Sequence, residues 1–182
     1  MSKFRSLPAL ALILAVLAAG AGLAVRGYSP PPRGADDAAA ALLALSLPDA
    51  HGNEQTVAQW KGRVIVVNYW ATWCPPCRAE IGDFTAASRD LAEEGVQFVG
   101  IGIDDAGRVR AFGERFAVPY PLLVAPPRVL EQTAGFGNAA GALPLTVIID
   151  RQGVVRHVEL GAMSRKELEA RLRPLLGGMT RT

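Results

Sequence analysis

The run Val64-Ile65-Val66-Val67-Asn68-Tyr69-Trp70 delivers the chain, within four residues, to Trp73-Cys74-Pro75-Pro76-Cys77. A β-branched, largely apolar run of this kind fills a central strand buried on both faces. Cys74 and Cys77 are the only cysteines of the chain. With proline between them they predict a loop entering a helix whose first turn holds both sulfurs on one side. Proline is tolerated there because first-turn N–H groups have no intrahelical partner to lose. Near a helix N-terminus, unpaired N–H groups and the dipole favour negative charge, so the Cys74 thiolate should form below the free-cysteine pKa. The thiolate attacks a disulfide, and a second thiol three residues on resolves the mixed intermediate. The pattern reads as a dithiol/disulfide exchange site.

Other chemistries fit less well. A purely structural disulfide across so small a loop would restrain little of the unfolded chain. Zinc needs two more ligands, and His51 and His157, the only histidines, lack ligand spacing, so no metal is expected. A c-type haem attachment needs histidine after the second cysteine, where Arg78 stands.

The surrounding sequence gives the frame. Behind the cysteines Ile81, Phe84, Ala87 and Leu91 recur at helical spacing until Gly95, and Glu80 lies on this helix three residues past Cys77. Glu80 reads either as an exposed carboxylate near a helix N-terminus or as a group close enough to the thiols to tune them or relay a proton. Val96 to Ile103 is a second buried strand, and strand-helix-strand at this length implies a parallel pair with a crossover helix. The fold class is therefore α/β. Val109, Phe112 and Phe116 mark another helix, Leu122-Leu123-Val124 a short strand, and Val129 to Ala134 a short helix. A glycine-rich segment ends at Leu143-Pro144. Leu145 to Asp150 and Val154 to Leu160 form an antiparallel hairpin. Ser164 and Glu167 make a capping box for a last helix with Leu168, Leu172, Leu175 and Leu176 on one face. Upstream, Ser46 to Val57 predicts a small hairpin turning at Gly52-Asn53, and both histidines read as solvated.

Residues 1–26 are a different kind of sequence. Lys3 and Arg5 precede an uncharged run from Leu7 to Val25, which as a helix at about 1.5 Å per residue spans roughly the 30 Å of a bilayer's hydrocarbon core. Its length favours an uncleaved anchor, while Ala19-Gly20-Ala21 offers a signal-peptide cleavage pattern. Charge ahead of the span keeps the N-terminus in the cytoplasm and sends the rest across. Residues 27–45 read as a Pro/Ala-rich linker in which Ala38 to Leu45 is either a short helix or linker. Residues 46–182 then form the exported domain. At 182 residues, half of them apolar, with a net charge of +2 and scattered basic residues, nothing points to nucleic acid.

The order strand, Cys-x-x-Cys helix, strand, helix, proline before a strand, hairpin and final helix resembles the thioredoxin superfamily. The motif from Val67 to Glu80 is similar to the membrane-anchored TlpA/ResA-like branch of exported thiol-disulfide reductases. The resemblance implies a central mixed β-sheet flanked by helices, behind an N-terminal hydrophobic helix. Cys74 is implied as the attacking thiol, Cys77 as the resolving one, Glu80 as the acidic residue after the second cysteine, and no cofactor is required. Pro144 is implied as a cis-proline beside the cysteines, although most X-Pro bonds are trans. Trp73, Pro75, Pro76 and Leu143 are implied as the substrate-binding rim. The partners implied are disulfide-containing exported proteins and a membrane electron donor, on the periplasmic side of a bacterial inner membrane. Similar proteins act in cytochrome c maturation or metal-site assembly. Asn68 stands where thioredoxin has a buried aspartate, so a proton relay would have to use Glu80 or water. Gly82, Leu143 and Leu145 also depart from the common pattern. Ala71 replaces the threonine usual in peroxidases of this fold.

Overall fold

In the computed structural model residues 34–177 are described. The apolar run Leu7 to Val25, and with it the anchor or signal, lies outside them. Among the described residues no helix is long and apolar enough to cross a membrane.

The centre of the domain is β3, Val64–Trp70, all seven residues of which are buried. Strand β4, Val96–Gly102, lies parallel to it, from Val64 opposite Val96 to Trp70 opposite Gly102. On the other side β6, Leu145–Ile149, runs antiparallel, pairing Tyr69 with Leu145 and Ile65 with Ile149. Strands β5, Leu122–Val124, and β7, Val155–Leu160, complete a mixed sheet of order β5-β4-β3-β6-β7. Strands β1, Ser46–Pro48, and β2, Glu54–Thr56, form a separate antiparallel pair. A strand buried on both faces needs cover on both, which is why β3 carries no alternation and helices flank the sheet.

Helix α2, Pro75–Leu91, buries Ile81, Phe84, Ala87 and Leu91, the stripe read from the sequence. Phe84 meets Phe98 of β4 edge to face, with ring centroids 6.1 Å apart. At Gly95 φ is +84°, a left-handed conformation that turns the chain from the end of α2 into β4 at little cost for glycine. Helix α3, Ala106–Arg115, packs Phe112 on Trp70 at 4.5 Å between centroids. Helix α4, Arg165–Leu176, starts at the expected capping box and packs on α2 and β3 through Leu168 and Leu172.

Three expectations change. The helix expected from Val129 is a longer 3-10 helix, Pro127–Phe136. His157, expected in solvent, is half-buried in β7 and bonded to Glu159 at 3.0 Å, and burial pushes its imidazole below the ordinary range. The stretch left open upstream is helical: α1, Ala35–Ala44, buries Ala35, Ala38, Ala39 and Leu42 against the same core. Its alanines allow close approach to the 3-10 helix. A Cβ at Gly135 would stand 2.6 Å from the Ala38 Cβ and 3.4 Å from the Gly34 carbonyl oxygen. Neither is the end of a flexible side chain, so α1 must shift. Gly135→Ala should destabilise the domain by about 1–3 kcal/mol, the usual range for overpacking, read as a lower urea midpoint. An unchanged midpoint would mean that α1 is not seated there in solution.

Candidate functional site

Cys74 is the N-cap of α2, with φ −86° and ψ 108°, and is joined to Cys77 by a disulfide. Pro75 and Pro76 have no N–H to offer, so the first free donor of the helix is the Cys77 amide, and it donates to Cys74 Sγ at 3.4 Å. The Arg78 amide donates to the Cys74 carbonyl at 3.1 Å. Sequence order alone therefore places one backbone donor and the positive end of a helix of 17 residues at the first sulfur. Cys74 and Cys77 are 4% and 2% exposed, whereas Trp73 is 63% exposed and both prolines face solvent. The disulfide lies at the floor of an exposed rim.

Pairing of Tyr69 with Leu145 brings the start of β6 to the end of β3 that leads to the cysteines, so Pro144 lies at the same end of the sheet. The Leu143-Pro144 peptide is cis, the Pro144 carbonyl accepts from the Gly161 amide at 2.9 Å, and Leu143 is half-buried. Sequence reasoning gave no account of what orders the loop before it. Buried Asn138 does so, accepting from the Ala142 amide at 2.8 Å while donating to the Ala142 carbonyl and to Thr133 Oγ1, both at 3.0 Å. An asparagine inside a glycine-rich segment is the signal that could have found it.

Glu80 is not the exposed carboxylate that was one of its two readings. It is 4% exposed. Asn68 donates to Oε1 and the Met163 amide to Oε2, each at 2.9 Å, and Asn68 also donates to Thr146 Oγ1 at 3.1 Å. Helix α2, β3, β6 and the turn before α4 thus converge on one carboxyl group. Burial pushes its pKa up to about 7 against the pull of the two hydrogen bonds. Burial raises the Tyr120 phenol as well, with a further contribution from the Glu80 charge, and the Tyr120 hydroxyl is buried with no hydrogen-bond partner. Asn68, noted only as a departure, is the residue that connects Glu80 to the sheet.

A second group beside the cysteines went unread in the sequence. Thr72, two residues before Cys74, donates its hydroxyl to Asp104, which follows β4 and forms an ion pair with Arg108 at 3.4 Å. Burial raises the Asp104 pKa, but the bonds from Thr72 and the Asp105 amide and the Arg108 charge outweigh it and hold the carboxyl below its ordinary range. This ties the loop before Cys74 to the end of β4. Among the described residues no cluster of His, Cys, Asp or Glu could hold a metal ion.

The Redoxin family model matches residues 35–172. The chain is 30% identical over 135 residues to the thiol:disulfide interchange protein DsbE of Allochromatium vinosum, covering 72% of this chain and 71% of that one. It is 28% identical over 129 residues to the thiol-disulfide oxidoreductase ResA of Geobacillus kaustophilus, covering 69% and 71%. A crystal structure of a thiol:disulfide interchange protein of the thioredoxin family from Chlorobium tepidum superposes with a TM-score of 0.67 at 28% identity, covering 82% of this chain and 98% of that one.

Proposed function

The chain belongs to the Redoxin family and is a thiol-disulfide oxidoreductase with the thioredoxin-like fold, and from that premise we propose that it is an exported reductase of protein disulfides. The observation that carries the direction is the pair Pro75-Pro76. Two prolines remove two N–H donors from the helix turn that faces Cys74, leaving the Cys77 amide. A strong oxidant of this chemistry owes its potential to a stabilised reduced form. A site with fewer donors stabilises the thiolate less and gives up electrons more readily.

In the reducing cycle the Cys74 thiolate attacks one sulfur of the substrate disulfide. A mixed disulfide forms and the other substrate sulfur leaves as a thiolate. Cys77 then loses its proton, with Glu80 or water as acceptor, and attacks Cys74 Sγ. The enzyme disulfide forms and the second substrate thiolate departs. Two electrons and two protons have reached the substrate, the protons coming from solvent and Glu80. Trp73, Pro75, Pro76, Leu143 and the backbone at Pro144 receive the substrate chain. Lys3 and Arg5 ahead of Leu7 to Val25 support export, with residues 1–26 as anchor or signal, residues from 27 as spacer, and the domain from residue 46 with α1 packed on it. An exported enzyme consumed as a reductant needs electrons from a membrane protein. Substrates in cytochrome c or metal-site assembly fit this reading.

The test is the equilibrium reduction potential of the Cys74/Cys77 pair in a protein trimmed to residues 31–182. The expected value is at or below roughly −270 mV, as for thioredoxin; a value near about −120 mV would reverse the direction of electron flow.

A further inference from the structure

A groove of about 280 Å³ opens beside the disulfide, bounded by Thr72, Arg78, Arg108, Phe112, Arg115 and Phe116. Thr72 precedes Cys74 by two residues and Arg78 directly follows Cys77, so the groove lining includes near neighbours in sequence of both cysteines. Its floor is apolar: the Phe112 and Phe116 rings lie 4.5 Å apart. Its rim is cationic, with Arg115 over the Phe116 ring at 5.6 Å from the centroid. Arg108 is already engaged, by Asp104 at 3.4 Å and Asp105 at 3.1 Å. Asp104 is in turn satisfied by Thr72. Among the described residues neither Arg78 nor Arg115 meets a carboxylate.

Two exposed guanidiniums without carboxylate partners, one of them stacked on the aromatic floor, suit planar carboxylates flanking an apolar side chain. We infer that this groove docks an acidic segment of the disulfide substrate, a stretch with Asp or Glu near the cysteine that Cys74 attacks and an apolar residue between them. The inference rests on the reductase reading and adds the substrate's charge to it. Asp104 and Asp105 offset part of the field, so the selectivity is moderate rather than absolute, and it weakens with salt because both arginines are exposed.

The test uses two synthetic peptides that differ only in carrying three Glu or three Gln around one Leu, each made with an internal disulfide and, separately, with its cysteines blocked by alkylation. Fluorescence anisotropy of the labelled, blocked peptides gives affinity without any redox step. The oxidised wild-type protein should bind the Glu peptide about fivefold more tightly than the Gln peptide at low salt, with the difference gone at about 0.5 M salt. In Arg115→Glu and in Arg78→Glu that ratio should fall to one or below. Equal affinities in the wild type, or a ratio that survives both reversals, would overturn the groove. Reduction of the disulfide peptides by dithiol wild-type protein reports separately on the chemistry: no reduction of either would sink the reductase reading while the affinity ratio still judged the groove.

Discussion

Cys74→Ser should lower the turnover of a protein disulfide by on the order of a thousandfold or more, because the thiolate is the nucleophile and a serine hydroxyl is not ionised near neutral pH. Cys77→Ser should fail differently. Its Cys74 can still attack, since the N-cap position and the Cys77 backbone amide are both retained, but nothing resolves the product. The mixed disulfide with substrate should accumulate and be visible as a covalent adduct on a non-reducing gel. Stability separates this outcome from simple unfolding. A disulfide closing a loop of four residues removes little chain entropy, about 2 kcal/mol on the loop-closure estimate. Both variants should therefore keep a cooperative urea transition, with a midpoint below that of the oxidised wild type by what about 2 kcal/mol imposes. If Cys74→Ser retains partner binding and cellular function, the disulfide is structural and the protein a binding module.

The parts of this molecule that were legible in its sequence are those set by local rules. The run Val64 to Trp70 announces a buried strand because no residue in it alternates, and all seven are buried. The capping box at Ser164 is a four-residue pattern with its own geometry. The position of Cys74 follows from the prolines behind it. What was not legible depends on residues far apart in the chain meeting. Glu80 receives hydrogen bonds from Asn68 and from the Met163 amide, 12 and 83 positions away. Helical spacing alone could not say whether its side chain met solvent or the sheet. The bond from Thr72 to Asp104 spans 32 positions across the β3–β4 crossover. For α1, an alanine run has no strong periodicity to separate a docked helix from a linker, and its seat against Gly135 is a contact between residues about a hundred positions apart.

Glu80→Gln should flatten the pH dependence of stability and slow the resolving step. The carboxyl has a pKa of about 7 in the folded protein against an ordinary 4.5. Below pH 4.5 it is protonated in both folded and unfolded chains and contributes no slope. Between 4.5 and 7 the unfolded chain releases its proton and the folded protein keeps it, so stability falls as pH rises through this window and levels off above it. A separation of this size is worth roughly 3 kcal/mol across the window, at order-of-magnitude precision. Other groups titrate too, His157 with the opposite slope because its folded pKa is depressed, so the quantity to read is the difference between the oxidised wild type and Glu80→Gln in urea midpoint from pH 4.5 to 8. That difference should grow in favour of the variant as pH rises, whatever constant offset the lost hydrogen bonds impose. Parallel curves would mean that the carboxyl titrates as if in water. The same group sits three residues past Cys77 on α2, and above pH 7 it is charged and able to take the proton that Cys77 must lose. Removing a positioned general base commonly costs about a hundredfold or more in rate. Rapid-mixing measurement of the resolving step should show that loss in Glu80→Gln, together with disappearance of the rise in rate near pH 7. A variant with altered stability but an unchanged rate and pH profile would confine Glu80 to holding Asn68 and the turn at Met163 in place.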